Sequence, residues 1–425
     1  MNKFTYIDLF AGCGGLSEGF EKTGTFKLLG AVEWEKYPRS AFVERLKNRW
    51  GYNDAHERVI HFDAQKINEL LNGFRDNPVY GTHTGLRSLT EGNCRVDLII
   101  GGPPCQAYSI AGRIRDEHGM HYDYRNYLFE SYLKIVAALR PSVVIFENVE
   151  GLLSAKPGGV SIADRIVRDF SSIGYEIVTD IKKFAVIDCS DYGVPQRRKR
   201  IILVGIRRSE FKKNHQNIVR EFYLNILPKF RVGKKLTVRQ AIGRLPAFTP
   251  LKREVHENGR KFSHYPFTTS IPNHIPRYHN KRDMKIFREL AMDVATGKNK
   301  YISAEVLKKI YTRRTGKVSS VHKYFVLRWD EQSNVIVAHL YKDGLRHIHP
   351  DYHQMRSISV REAARLQTFD DDFVFPGGMG DQYKMIGNAV PPIFAEALAR
   401  SVLILLKEGK IAPKGGHDRL SCISA

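Results

Sequence analysis

The stretch Thr5–Leu16 reads TYIDLFAGCGGL, an apolar run followed by a glycine-rich turn. Glycines at a strand-to-helix turn let the backbone approach a ligand closely. A dinucleotide fingerprint requires Gly-x-Gly-x-x-Gly, but Ser17 occupies the third glycine position here. Glu33 ends the next apolar run, where an acidic residue is placed to accept hydrogen bonds from ribose hydroxyls. The stretch therefore predicts a site for a nucleoside cofactor and disfavours one that carries a pyrophosphate.

Apolar, β-type runs alternate with helix-type patterns through the first 208 residues. The predicted strands are Thr5–Phe10, Leu28–Trp34, Val59–Phe62, Val96–Ile100, Val143–Glu147, Tyr175–Ile181 and Ile201–Ile206, and helices are predicted at Tyr127–Leu139 and Ile162–Ile173. This alternation predicts an α/β fold of the Rossmann-like type, with a mostly parallel sheet covered by helices on both faces. Ligands bind such sheets beyond the carboxyl ends of the strands, so residues at strand ends are the candidates for function.

The regular pattern breaks down at about Lys212 and returns at Ser357–Gln367 and Pro391–Leu406. The intervening chain is irregular in pattern, basic and rich in His, Pro and Gly. We therefore predict a main α/β domain over 1–235 and a second, smaller, irregular domain with its connecting segment over 236–355. The chain then returns to the main domain over 356–410 and ends in a tail over 411–425.

Positive charge is concentrated in one block of the chain. The whole sequence has 67 Lys+Arg and 45 Asp+Glu, a formal net charge of +22, and Arg231–Pro350 alone has 25 against 9, a net of +16. Such a block is typical of a surface that binds a polyanion such as nucleic acid. The alternative is a solvated basic surface without a partner, but the interleaved aromatic residues and histidines favour binding.

The five cysteines are scattered and form no CxxC pair, so the sequence indicates no metal site and no disulfide framework. The N-terminus lacks the layout of a signal peptide. No stretch approaches the roughly 18–20 consecutive apolar residues of a membrane span. We therefore expect a cytoplasmic protein that has no membrane partner.

Three short segments at strand ends carry reactive side chains. Residues 101–106 read GGPPCQ, and the two prolines stiffen the backbone and leave Cys105 exposed past a strand, where a nucleophile would sit. Glu147 closes the run VVIF and is partly desolvated, which favours proton donation. In QRRKR at 196–200, alternation along a strand places Arg198 and Arg200 on one face, which suits a buried carbonyl or phosphate. An inert cysteine, a helix-capping acid and a solvated basic run are the alternative interpretations.

Taken together and in order, six segments resemble the motifs of the cytosine-5 DNA methyltransferase family, in the form found in bacterial restriction–modification systems. They read DLFAGCGG, GGPPCQAYS, FENVEGLL, DYGVPQRRKR, SVREAARLQTF and GNAVPP, and the match covers about residues 4–208 and 356–406. By this resemblance, 1–235 and 356–410 form the catalytic and cofactor-binding domain, and 236–355 is a target-recognition domain. The helix from Pro391 is expected to pack back beside the first strand and complete the cofactor pocket.

The resemblance implies transfer of a methyl group from S-adenosylmethionine to carbon 5 of a cytosine in duplex DNA, with S-adenosylhomocysteine as product. The implied catalytic residues are Cys105, Glu147, Arg198 and Arg200, with Cys105 attacking carbon 6 of a flipped-out base. The implied cofactor residues are Phe10, Gly12, Cys13, Gly14, Gly15, Glu33, Trp34, Asp63, Ala64, Pro104, Gln106, Leu128, Asn388, Ala389 and Val390. Ser109 and Arg113 are the expected DNA contacts, and no metal is implied.

Two other functions stay open at this level. One is methylation of transfer RNA by the same fold, which the large basic domain disfavours. The other is a catalytically inactive, DNA-binding regulator, which the complete set of reactive residues disfavours. An NAD-type oxidoreductase is excluded by the glycine spacing. We expect a monomer whose partners are double-stranded DNA and a cognate restriction nuclease or other defence proteins.

Overall fold

The computed structural model describes residues 3–90, 95–104, 128–155, 161–342 and 344–408. Their contacts divide the chain into two compact units. Unit 1 comprises Met1–Tyr192, Lys199–Val232 and Val390–Ala425, and unit 2 comprises Gly193–Arg198 and Gly233–Ala389. Each unit is described by itself.

Unit 1 is an α/β unit. Its strands are β1 (Phe4–Leu9), β2 (Phe26–Glu33), β3 (Val59–His61), β4 (Phe74–Asn77), β5 (Gly81–His83), β6 (Leu98–Gly101), β7 (Val143–Val149), β8 (Tyr175–Glu176), β9 (Val186–Asp188) and β10 (Lys199–Arg207). Its helices up to Glu221 are α1 (Gly15–Lys22), α2 (Lys36–Trp50), α3 (Ala55–Arg58), α4 (Ile67–Asn72), α5 (Leu128–Leu139), α6 (Ile162–Ser172), α7 (Ile181–Phe184) and α8 (His215–Glu221).

Unit 2 contains five helices and two strands within its described residues. In chain order they are α9 (Val238–Ile242), β11 (Thr249–Glu257), β12 (Arg260–Tyr265), α10 (Lys281–Ala295), α11 (Ala304–Thr315), α12 (Val360–Leu366) and α13 (Met379–Asn388). The chain then returns to unit 1 with α14 (Pro392–Glu408).

The central sheet of unit 1 has the strand order β3-β2-β1-β6-β7-β10-β8, and β9 also pairs with β10. Within this sheet, β3, β2, β1, β6 and β7 all run parallel to one another. Strand β10 runs antiparallel to β7, β8 and β9. The prediction of a mostly parallel sheet is confirmed. The carboxyl ends of β1, β2, β6 and β7 therefore meet along one edge, and the residues that follow them are brought together there.

Helix α14 packs against α1, the helix that follows the first strand. A Cβ atom on Gly19 of α1 would lie 2.3 Å from the backbone nitrogen of Glu396 in α14, so any side chain there would force the helices apart. Phe394 and Leu398 are both fully buried in the same unit. The helix from Pro391 thus returns to the helix that follows the first strand, and its part in a cofactor pocket stays a prediction.

Unit 2 has its own hydrophobic core, built from α10, α11 and three later residues. The core residues are Ile286, Phe287, Leu290, Ala291, Leu307, Ile310, Tyr324, Val326 and Ile348. The Asn280 side chain caps α10 by accepting a hydrogen bond from the backbone N–H of Asp283. We expected this part of the chain to be irregular, but it contains two amphipathic helices, α10 and α11, whose basic residues lie mainly on their exposed faces. The many basic residues made the apolar spacing of these helices hard to recognise in the sequence.

A buried ion pair fixes the start of α12. Arg356 donates from both terminal nitrogens to Glu362, at 2.6 and 2.7 Å, and both side chains are 1% exposed. Burial raises the pKa of Glu362, but Arg356 and His349 outweigh that effect and hold it well below its usual value. Ser359 and Glu362 also form a capping box, as the pattern of this segment predicts.

Five histidines of unit 2 are buried, and burial lowers the pKa of each of them. They are His264, His274, His279, His347 and His349. The pKa values of His264 and His347 fall to about 4. These side chains are therefore neutral at pH 7 and pack in the interior of unit 2. They are not available to contact a polyanion.

The contacts group some residues differently from the predicted domains. The first boundary, at Val232–Gly233, lies close to the predicted one at 235, but residues 356–389 pack within unit 2. Residues 193–198 also belong to unit 2, because Gln196 pairs with Ser333 in a β-bridge and Arg197 donates its N–H to the Ser333 carbonyl. The assignment of 356–389 to the catalytic domain remains a prediction about function.

Among the described residues, one helical stretch, Met379–Glu408, is long and apolar enough to cross a membrane by length and composition. However, 67% of its apolar window is buried inside the protein, as in the core helices of water-soluble proteins. The helical stretch is also interrupted at Ala389–Pro391, between α13 and α14. It is therefore weak evidence for a membrane span.

Candidate active site

Glu147 lies near the carboxyl end of β7, next to the end of β6. An Oε1 atom of Glu147 is 3.0 Å from Nε of Arg200 on the neighbouring strand β10, and both side chains are largely buried. A Cβ atom on Gly102 would lie 2.8 Å from Oε2 of the same carboxylate. A side chain at position 102 would therefore displace the carboxylate from this position. The structure thus brings together Glu147, Arg200 and the segment that leads to Cys105.

Asn148 is a further residue of this site, and sequence reasoning did not single it out. Its side-chain nitrogen donates to the carbonyl of Pro103 at 3.3 Å, and its side-chain oxygen accepts from the N–H of Val149. The side chain is buried, with 4% exposure. Asn148 therefore ties β7 to the backbone two residues before Cys105. Its position directly after Glu147 was the available signal.

Cys105 itself lies outside the described residues, as do Gln106, Ser109 and Arg113. The described segment before the gap, 95–104, ends at Pro104, which is exposed. Cys13 and Cys189 are described, and both are buried. Burial raises the pKa of the Cys13 thiol to about 12, so Cys13 remains a thiol at neutral pH and is a poor nucleophile.

The glycine-rich turn between β1 and α1 has an unusual backbone. Phe10, Gly12 and Gly14 have positive φ angles of 59°, 57° and 83°. A positive φ in a bulky residue such as Phe10 is uncommon and costs about 1–3 kcal/mol. A Cβ atom on Gly14 would also lie 2.4 Å from the ring of Phe42, whereas one on Gly12 would meet nothing within 4 Å. The turn is held in a strained shape that leaves its Gly12 side open.

Glu33 ends β2 directly opposite this turn. Its Oε2 accepts from the N–H of Gly12 at 2.8 Å, and its Oε1 accepts from the N–H of Glu35 at 2.7 Å. Burial raises the pKa of Glu33 to about 7, although both backbone hydrogen bonds act in the opposite direction. A second carboxyl group, Asp8, lies nearby in β1. Burial raises its pKa to about 7, Oδ2 accepts from Ser17, and Oδ1 has no partner among the described residues.

The other expected cofactor residues are distributed over both units. Trp34, which follows β2, is 49% exposed, so its indole is accessible for stacking. Asp63 and Ala64 follow β3, and Asp63 accepts the N–H of Gln65. Cys13, Gly15, Leu128 and Val390 are buried in unit 1. Asn388, which is exposed, and Ala389 belong to unit 2.

Arg198 is buried in unit 2, with 1% exposure. Its guanidinium donates to three backbone carbonyls, those of Ile336 at 3.0 Å, Gly387 at 3.3 Å and Ala389 at 2.8 Å. Alternation along a strand was expected to place Arg198 and Arg200 on one face, but the strand begins at Lys199, so Arg198 lies before it and belongs to unit 2, whereas Arg200 belongs to unit 1 and contacts Glu147. Gln196 adds a similar network, since it binds the Leu366 carbonyl and the Ile336 N–H.

No group of three or more His, Cys, Asp or Glu side chains within the described ranges is arranged to hold a metal ion. The family model for C-5 cytosine-specific DNA methylases matches this chain over residues 4–403. The chain belongs to the C-5 cytosine-specific DNA methylase family. The match spans both units and every described part of the site.

Curated relatives of this DNA methylase cover almost its whole length. The type II methyltransferase M.Bpa9945I of Bacillus paralicheniformis is 33% identical over 93% of this chain and 98% of the relative. The type II methyltransferase M.AgeI of Thalassovita gelatinovora is 30% identical over 94% of this chain and 99% of the relative. The chain is therefore a DNA cytosine-5-methyltransferase whose relatives belong to the restriction–modification type.

The fold of the methylase agrees with that of a solved relative. The Dnmt2 methyltransferase of S. pombe superposes with a TM-score of 0.55, covering 96% of this chain and 99% of that one. Its sequence identity is 13%, so this similarity concerns the fold alone. Methylases of this family and fold depend on S-adenosylmethionine in general.

Proposed function

We propose that this methylase transfers a methyl group from S-adenosylmethionine to carbon 5 of a cytosine that is flipped out of a specific duplex DNA sequence, through a covalent bond between Cys105 and carbon 6. The observation that carries the proposal is the contact of Glu147 with Arg200 directly over Gly102. It holds an acid next to the end of β6, and the sequence continues from that strand into Pro103-Pro104-Cys105.

The residues around the glycine-rich turn fit a nucleoside with a sulfonium group. The open side of Gly12 admits a ligand close to the backbone, and the Glu33 carboxylate is fixed at the end of β2 to accept the ribose hydroxyls. The exposed indole of Trp34 is available to the adenine, and Asp63 to its edge. When bound, S-adenosylmethionine supplies an electrophilic methyl carbon and leaves as S-adenosylhomocysteine.

Cys105 supplies the electrons that make carbon 5 reactive. Its thiolate forms a bond to carbon 6, and the pair of the carbon 5–carbon 6 double bond becomes available at carbon 5 for the new bond to the methyl group. A base or water then removes the carbon 5 proton. That electron pair restores the double bond and expels Cys105 as a thiolate. The net change is replacement of one hydrogen by a methyl group, with release of one proton.

Glu147 stabilises the ring while Cys105 is attached. It donates a proton or a hydrogen bond at ring nitrogen 3, where negative charge would otherwise build up. Arg200 fixes the direction of the Glu147 carboxylate through the 3.0 Å contact. The Arg198 guanidinium donates hydrogen bonds to backbone carbonyls. These contacts support a role in positioning the backbone and not a direct contact with the base.

The substrate must be opened for this chemistry. A cytosine stacked in a duplex cannot reach the strand end, so the enzyme turns it out of the helix, at a cost of a few kcal/mol for unstacking. Ser109 and Arg113, which follow Cys105 in the sequence, are proposed to contact the DNA there. Unit 2, which carries most of the basic block, is proposed to bind the duplex phosphates and to contain the element that selects the sequence.

The acceptor test separates DNA from transfer RNA. With labelled S-adenosylmethionine, we expect methyl transfer to duplex DNA that contains the recognition sequence and no transfer above background to unmodified transfer RNA. Digestion of the product to nucleosides should place the label in 5-methylcytosine. Transfer to RNA alone, or binding of DNA without transfer, would contradict the proposal.

Cofactor binding should weaken at acidic pH because of Glu33. A carboxyl group with a pKa of about 7 binds a proton below neutral pH, whereas two ribose hydroxyls donate best to the ionised form. Binding must then expel that proton, so affinity should fall as pH drops below 7, by up to about tenfold per pH unit. Calorimetry of S-adenosylhomocysteine binding in buffers with different ionisation enthalpies would measure the proton released.

The matched control is Asp8, the other buried carboxyl with a pKa raised to about 7. Glu33→Gln should weaken binding and abolish proton release, whereas Asp8→Asn should leave the release in place. Retained proton release in Glu33→Gln would assign the titration to another group and remove Glu33 from the ribose site.

We further propose that the enzyme works as a monomer in the bacterial cytoplasm, where DNA binding associates it with the nucleoid. The type II relatives favour a partnership with a restriction nuclease of the same sequence specificity over other defence proteins. Methylation of carbon 5 would then protect host DNA from that nuclease.

A further inference from the structure

Strands β11 and β12 of unit 2 form a two-stranded antiparallel ribbon. Its outer pairs are Val255 with Phe262, His256 with Lys261 and Glu257 with Arg260. Asn258 and Gly259 make the two-residue turn, with φ angles of 49° and 72°. Positive φ at both positions is the arrangement that matches the natural twist of a hairpin.

The outer part of this ribbon buries almost nothing. Every residue from Lys252 to Lys261 is exposed, whereas Phe262, Ser263 and His264 at its base are buried. The base is also tied to the rest of unit 2. The ring of His264 is hydrogen-bonded to the Gln354 carbonyl at 2.8 Å, and Ser263 accepts the His279 N–H at 3.0 Å. A two-stranded ribbon gains little stability in water, so an exposed one with an anchored base indicates a binding role.

The charges of the outer ribbon favour an anionic partner. Glu254 is occupied within the protein, because Lys261 approaches it at 3.4 Å and the Tyr278 hydroxyl donates to it at 2.6 Å. In the described part of the chain, the side chains of Lys252, Arg253 and Arg260 have no hydrogen bond or ion pair. Two guanidinium groups and one ammonium group are thus presented to solvent.

We infer that this ribbon, Lys252–Lys261, enters the major groove of the DNA substrate and reads its sequence, with Arg253 and Arg260 contacting guanines. The inference rests on the proposed function and adds a specificity element to it. The major groove is about 12 Å wide and admits a two-stranded β-ribbon. Arg pairs with two acceptors of guanine, and a carboxylate such as that of Glu257 accepts from the cytosine amino group.

The test compares Arg253→Ala and Arg260→Ala with Arg288→Ala. Arg288 is an exposed residue of α10 in the same unit, outside the ribbon. Each full-length variant is expressed in cells that lack other cytosine-5 methylation, and plasmid DNA is sequenced after bisulfite treatment. The measured quantity is methylation at the wild-type sequence relative to sequences that differ from it by one base pair.

Loss of either ribbon arginine should lower the preference for the wild-type sequence roughly 5- to 150-fold at one or two base pairs. This is the range expected for a bidentate arginine–guanine contact. Arg288→Ala should leave the preferred sequence unchanged. If both ribbon variants keep wild-type discrimination, or only weaken binding equally for all sequences, the ribbon does not read bases. If the wild-type protein methylates no duplex DNA, the proposed function fails as well.

Discussion

Replacing Cys105 with Ala abolishes methyl transfer to DNA while the variant still binds duplex DNA and cofactor. The expected loss is on the order of 10⁶-fold, the size seen when a covalent nucleophile is removed from a hydrolase. The physical reason is that carbon 5 of cytosine is a weak nucleophile until a thiolate adds to carbon 6. Single-turnover transfer of labelled methyl measures the rate, and a gel-shift titration measures DNA affinity.

Cys189→Ala is the matched control, since Cys189 is a buried cysteine of unit 1 outside the proposed machinery. It should retain transfer and the same DNA affinity. A duplex with 5-fluorocytosine at the target should form a stable covalent adduct with the wild-type protein and none with Cys105→Ala, because fluorine cannot leave carbon 5 as a proton does. An adduct on the Cys105→Ala variant would assign the nucleophile to another residue.

Glu147→Gln should lower the rate of methyl transfer by about 10²- to 10⁴-fold, the usual contribution of a general acid. Glutamine has nearly the same shape, so it fits over Gly102, but its amide cannot give up a proton and it loses the charge that pairs with Arg200. The affinity for duplex DNA should change far less than the rate. Single-turnover kinetics and binding measured on one preparation make this comparison.

Glu150→Gln is the matched control for this change, because Glu150 is an exposed carboxylate three residues further along the chain. It should leave the transfer rate near the wild-type value. Equal losses of rate and DNA affinity in Glu147→Gln would indicate that the Glu147–Arg200 contact serves the structure of unit 1. The chemical role assigned to the acid would then be wrong.

Several elements were predictable because their signals are local. The strand β1 and its glycine turn, the capping box of Ser359 and Glu362, and the helix Pro392–Glu408 each follow from spacing within a short stretch. Predictions failed where the chain needed a distant partner. The run Tyr175–Ile181 looks like a full strand, but only Tyr175–Glu176 pairs with β10.

The basic block shows why composition alone misleads. Most of this block lies in unit 2, but α10 and α11 were not predicted, because their basic residues lie on the exposed faces of amphipathic helices. His347 and His349 are two histidines of this block, and both are buried and neutral at pH 7. The exposure of a side chain depends on packing against residues far away in the sequence, so it cannot be predicted from a local pattern.

The sequence alone determined the order of the motifs, because motif spacing is a property of the chain. That order indicated the family and the position of Cys105 within its motifs. Only the tertiary structure decided that Glu147 contacts Arg200 next to Gly102. It also decided that the Arg198 guanidinium donates hydrogen bonds to the backbone carbonyls of Ile336, Gly387 and Ala389. Those partners are separated by up to 191 residues. Folding brings them within hydrogen-bond distance, and a buried guanidinium is stable only where such acceptors surround it.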